Sequence, residues 1–142
     1  MIRVSIAITN ISGERFWDIS KPLPLVQINT NLNLVDVERK AEDTLEVPFV
    51  LTVSYSPPIA QMNLKGRAHV TGSKDEIDRI YLDYKEKRPP PAILVQSISN
   101  VVLVESVILS RTLNVPPPIP LPQIPQAKDS PEKKGVKMDY TT

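Results

Sequence analysis

A chain of 142 residues with 41% hydrophobic and 23% charged residues has the balance of one globular domain. Its formal net charge of +1 creates no global field for nucleic acid or an anionic membrane. The absence of cysteine excludes disulfides and thiolate metal sites and fits a reducing compartment.

In chain order, Ile2, Val4, Ile6 and Ile8 alternate with Arg3, Ser5, Ala7 and Thr9, the period-two pattern of a half-buried strand. Residues 10–13 have turn chemistry, and Phe16 and Trp17 follow as two large rings to plug one end of the core. Val26, Ile28, Leu32 and Leu34 define a second strand, and the reversed parity of Val35 and Val37 places a bulge near 34–35. The charged residues 38–43 read as a turn. Leu45, Val47, Phe49, Leu51, Val53 and Tyr55 form a third run, within which Pro48 confines the first part to an edge or delays the start of the strand. Ala60, Met62, Leu64, Ala68 and Val70 face one way on a fourth strand, opposite Gln61, Asn63, Lys65, Arg67 and His69; Gly66 marks a bulge or a close crossing. Four amphipathic strands with short links imply an antiparallel sheet that needs a cover on one face.

The cover follows. Ser73 and Glu76 have capping-box spacing, and Ile77, Ile80, Tyr81 and Tyr84 recur with helical period, so a short amphipathic helix begins after Gly72. Prolines 89–91 end it. Residues 93–113 are apolar around more than half of a helical circumference, with Gln96, Ser99, Ser106 and Ser110 as a narrow polar stripe. Many of these residues are β-branched, which favours a strand, but a turn-free run of this length favours a helix. One sheet cannot cover so wide an apolar surface, so a second copy of the chain is the simplest further partner. Glu105, set among apolar residues, must reach a rim or a cation from another segment or chain, such as Arg111. Residues 114–125 hold six prolines with Val115, Ile119, Leu121 and Ile124, an extended strap, and 126–142 read as a disordered polar tail. The domain is accordingly placed at 1–125 and the tail at 126–142.

Chemistry-bearing motifs are sparse. The sequence has neither a Gly-rich phosphate loop nor a nucleophile elbow, and its single histidine, His69, leaves nothing for a metal cluster or a catalytic triad. Asp75, Glu76 and Asp78 lie where a helix N-terminus already favours acids. Lys65 and Arg67 share a strand face, but no aromatic residues alternate with them to stack on bases, so nucleic acid is not favoured. The chain reads as a non-enzyme without cofactors. No secretory leader is visible, and the continuous apolar run 101–104 is too short to cross a bilayer, which points to a soluble cytoplasmic protein.

The order of strands, proline-preceded helix and proline-rich segment resembles that of SecB-like export chaperones. The local match is Pro91-Ala92-Ile93-Leu94, then Ser110-Arg111, then the proline and leucine run 116–122, within a pattern spanning roughly 25–124. The chain departs from that family in being near neutral and poor in aromatics. The resemblance implies an α+β fold: a four-stranded antiparallel sheet covered on one face by a short and a long C-terminal helix. It also implies a homo-oligomeric holdase for unfolded or extended polypeptide, or for a partner protein. Ile93, Leu94, Ile119, Leu121 and Ile124 are the candidate polypeptide-binding residues. The alternatives are a ribosome- or RNA-associated accessory protein and a structural adaptor that docks through its proline-rich segment.

Overall fold

A computed structural model of the chain describes residues 1–118. Period-two alternation builds the strands β1 (Arg3–Arg15), β2 (Gln27–Leu34), β3 (Glu38–Ala41), β4 (Thr44–Ser56) and β5 (Ala60–Thr71). Two helices follow, α1 (Lys74–Lys85) and α2 (Ala92–Leu113). Every strand pairing is antiparallel, in the order β1-β5-β4-β2, and β3 also pairs with β4. The α+β architecture is as the sequence implies, an antiparallel sheet with a short and a long helix. The difference is the short strand β3, where the charges suggest only a turn. The domain boundary at 125 and the tail 126–142 lie outside the described residues.

The core is the sheet face under the helices. Leu45, Val47, Phe49, Leu51, Val53 and Tyr55 of β4 are buried there, together with Met62, Leu64, Ala68 and Val70 of β5. Pro48 lies well inside β4, and the ladder tolerates it for a geometric reason. Its carbonyl accepts the Val35 N–H at 2.8 Å, so its nitrogen also points toward the irregular joint between β2 and β3 and not into the ladder with β5. At this joint Leu34 pairs with Phe49 and Glu38 with Glu46, which puts one extra residue into the edge. The bulge reverses the parity at Val37, which is buried, but not at Val35, which is still exposed on the outward side.

β1 departs from the sequence reading. Residues 10–13 are not a turn. Ile8 pairs with Gly66 and Asn10 with Lys65, so Thr9 is the extra residue of a bulge and the strand runs on to Arg15. Gly13 then lies under α2, where a Cβ would stand 3.1 Å from methyl carbons of Leu109 and Leu113. Phe16 is not a core plug, being 51% exposed, whereas Trp17 is half-buried with its indole N–H donating to the Pro22 carbonyl at 3.1 Å.

α1 begins with the expected capping box: the Glu76 N–H donates to Ser73 Oγ at 3.2 Å, and the Ser73 N–H donates to Glu76 Oε1 at 3.0 Å. Ile77 and Ile80 are buried, Arg39 pairs with Asp78 at 2.6 Å, and the Tyr84 hydroxyl donates to Asp36 at 2.9 Å. α2 starts after Pro91 and ends at Asn114, which is left-handed with φ 59°. The Arg15 guanidinium donates to the carbonyls of Leu113 and Asn114 at 3.1 and 2.7 Å, satisfying two acceptors that a helix end leaves open. The sheet-facing stripe of α2 is Leu94, Ile98, Val102, Ser106 and Ser110, recurring every fourth residue. Ser106 and Ser110 therefore belong to the buried face and not to an outer polar stripe. Their hydroxyls donate to the carbonyls of Leu103 and Val107 in the preceding turn, so two small polar residues are buried without unpaired donors.

Candidate functional site

Exposed apolar side chains are scattered among the described residues, Phe16, Ile19, Leu25 and Leu82 included, and two regions stand out by their alignment. The first is the outer side of α2. Ile93, Val104 and Ile108 are 47%, 59% and 53% exposed, and 104 and 108 fall within about 60° of 93 around the helix, so the three share a face. The second is a strip along β2. Its register with β4 sets Ile28 opposite Tyr55, Leu32 opposite Leu51 and Leu34 opposite Phe49, which turns all three toward the helix-covered face. Their β4 partners are buried, yet Ile28, Leu32 and Leu34 are only half-buried. α2 packs over β1 and β5 and α1 over β4, so the cover thins toward β2.

The strap begins beside this strip. Val115, Pro116 and Pro118 are buried, and the buried Tyr55 hydroxyl donates to the Pro116 carbonyl. The first residues after α2 therefore pack on the body. Burial pushes the Tyr55 phenol well above its ordinary pKa of 10.0. The folded state then holds a proton that the unfolded chain releases near pH 10, so this group's contribution to stability is lost as pH rises beyond that value. Tyr55→Phe leaves a buried carbonyl unpaired and is expected to cost about 1–3 kcal/mol at pH 7. It should also flatten the loss of stability between pH 9 and 11, read from urea midpoints across that range.

Of the candidate residues, Ile93 lies on the exposed face of α2, whereas Leu94 is 1% exposed and belongs to the core. Ile119, Leu121 and Ile124 lie outside the described residues. Sequence reasoning missed the β2 strip, because its parity reads as an ordinary core face. Only the register and the helix placement reveal that the helices rest mainly on the other strands.

The opposite sheet face is polar and carries an ion-paired cluster around Glu38 and Glu46. Glu46, with its side chain 15% exposed, lies 3.1 Å from Arg67, 3.6 Å from Lys40 and 3.4 Å from His69. Glu38 lies 3.2 Å from Lys40 and 3.5 Å from Arg67. Arg67, half of the basic pair that suggested phosphate binding, is thus matched by carboxylates. Glu105 and Arg111 make no ion pair among the described residues. No group of three or more His, Cys, Asp or Glu side chains is placed to hold a metal among those residues.

α2 is, by length and composition, apolar enough to cross a membrane, with a mean hydropathy of 1.9 over its best window; counting only the unbroken run 101–104 understates it. Its stripe from Leu94 to Ser110 is instead seated on the sheet.

The sheet order, the capped short helix and the long helix laid across one face place the chain in the SecB-like fold class. The particular likeness is to a SecB-like chaperone of Mycobacterium tuberculosis, solved in complex with a peptide from an antitoxin. The two superpose with a TM-score of 0.59 over 87% of this chain and 90% of the other, at 10% sequence identity. No family model matches the sequence, and a search of curated proteins returns no match.

Proposed function

We propose that the protein is a non-enzymatic, chaperone-like holdase that binds unfolded or extended polypeptide in a cytoplasmic setting and works as a homo-oligomer. The observation that carries this reading is the exposed apolar face of α2 at Ile93, Val104 and Ile108, together with the half-buried apolar strip Ile28, Leu32 and Leu34 of β2. Such surfaces bind by non-directional apolar burial, which suits a partner defined by exposed hydrophobic residues and not by sequence. β2 also lies at the edge of the sheet, where an extended chain can add main-chain hydrogen bonds. The peptide-bound state of the Mycobacterium protein supports the same reading.

In this reading α2 has two duties. Leu94 acts through the core by holding the helix down, while Ile93, Val104 and Ile108 meet a second copy or a client. The RNA-associated alternative is weakened by the carboxylates around Arg67. The adaptor alternative is weakened by the burial of the strap's first residues, which ties them to the body.

The test is suppression of aggregation of a chemically unfolded, unrelated protein diluted into buffer. A molar excess of this protein is expected to hold light scattering near baseline, with little dependence on salt. Unchanged scattering at excess would reject the holdase reading, and steeply salt-dependent RNA binding would favour the alternative.

A further inference from the structure

One hydrogen bond fixes which backbone groups of the edge strand β2 face outward. The Val35 N–H donates to the Pro48 carbonyl at 2.8 Å. Residues 35 and 48 continue the register in which Leu34 lies opposite Phe49 and Asn33 opposite Val50. Antiparallel ladders alternate, so the N–H and C=O groups of Asn29, Asn31 and Asn33 point to β4. Those of Ile28, Thr30, Leu32 and Leu34 point to the free edge, where no described residue pairs with them.

Nothing in the strand guards that edge. Its sequence Gln-Ile-Asn-Thr-Asn-Leu-Asn-Leu holds no charge and no proline, and its register with β4 is unbroken. The other edges differ: β1 is interrupted by the bulge at Thr9, and β3 carries Glu38, Arg39 and Lys40. Asn29, Asn31 and Asn33 are exposed on the outward face, and their register partners there, Ser54, Thr52 and Val50, are uncharged as well. We infer that the β2 edge binds one class of polypeptide: an extended, uncharged segment in which apolar residues alternate with Asn, Gln, Ser or Thr, the pattern of a β-strand in its own folded state. The main chain of such a segment meets the open N–H and C=O groups, and its polar side chains pair with the exposed asparagine amides. Its apolar side chains continue the helix-covered face. A segment of helical period, laid out as a strand, turns apolar residues to both faces and loses this match. Charged residues gain nothing, because the edge offers no counterion. The inference rests on the holdase reading and adds which part of a client is held.

The test uses the full-length protein and two fluorescently labelled peptides of equal length and composition, made of valine, leucine, asparagine and threonine. One alternates apolar and polar residues; the other sets the apolar residues at helical spacing. The alternating peptide is expected to bind on the order of tenfold tighter, with little dependence on salt. Equal affinities overturn the inference. Thr30→Pro removes an open donor and leaves the β4 ladder whole, a change that edge strands tolerate. It is expected to weaken the alternating peptide on the order of tenfold, whereas Thr30→Val does not. Unchanged affinity of a folded Thr30→Pro overturns the inference. Should that variant lose its circular dichroism, amide hydrogen exchange of the parent decides. The alternating peptide is expected to protect the amides of Ile28, Thr30, Leu32 and Leu34, which exchange fast without it, and to leave those of Asn29, Asn31 and Asn33 as they were. No gain overturns the inference, and so does protection before any peptide is added, which would assign the edge to this chain or a second copy. Capture of an aggregating client with no preference between the peptides keeps the holdase reading and removes this inference; the preference without capture does the reverse.

Discussion

Gly66→Val is expected to cost about 3 kcal/mol or more, a large part of the stability of a domain of this size. Gly66 sits on the covered face of β5, opposite the β1 bulge at Thr9. Any Cβ there would collide with the Ala7 carbonyl oxygen and stand 2.6 Å from Cζ of Phe49. Neither neighbour yields cheaply. The carbonyl belongs to the backbone of β1, and the Phe49 ring is 1% exposed in the middle of the core. The glycine is needed for this close approach and not for its backbone angles. Gly66→Ala should therefore also destabilise, by less, because valine adds two methyl groups to the same collision. Urea midpoints of the two variants against the parent give the comparison, and a Gly66→Val midpoint equal to that of the parent would refute this account of the crossing.

The double substitution Val104→Asp with Ile108→Asp is expected to reduce the solution mass to that of a single chain while leaving the fold in place. Both side chains are more than half exposed on the outside of α2, so the sheet-facing stripe is untouched and far-ultraviolet circular dichroism should be unchanged. The carboxylates would have to be desolvated in any interface that covers this face, at a cost of several kcal/mol per buried charge. Light scattering with size-exclusion chromatography reads the outcome. An unchanged oligomer would place the interface elsewhere, and a parent that is already a single chain would reject self-association through this helix. In the same variants, loss of client capture together with loss of mass would tie the two activities to one surface. Retained capture would assign the client to β2.

How much of this was legible depended on whether neighbouring residues could be read independently. The strand faces of β4 and β5 were, because Leu45 to Tyr55 and Ala60 to Val70 alternate with little interruption and the alternation is what burial requires. The helical state of 92–113 was legible from length and from the prolines before it, despite its β-branched residues. The continuation of β1 through Asn10 and Gly13 was not. A bulge uses the same residue types as a turn, and the reason for Gly13 is a pair of leucines a hundred residues away. Ser106 and Ser110 misled for a related reason: a serine that donates its hydroxyl to its own helix is polar in composition but not in its demand for water. Of the candidate residues, Ile93 and Leu94 are adjacent and equally apolar, and only the rotation of the helix on the sheet separates the surface residue from the core residue.

The ionic patch of Glu38, Lys40, Glu46 and Arg67 bears on how one sheet can stack on another. Here the two sides of the sheet are unlike: one carries apolar side chains, the other a cluster of paired charges that would have to be stripped of water before another layer could settle on it. Contact between two copies is therefore favoured on the apolar side and opposed at the charged patch, which works against one sheet stacking on another.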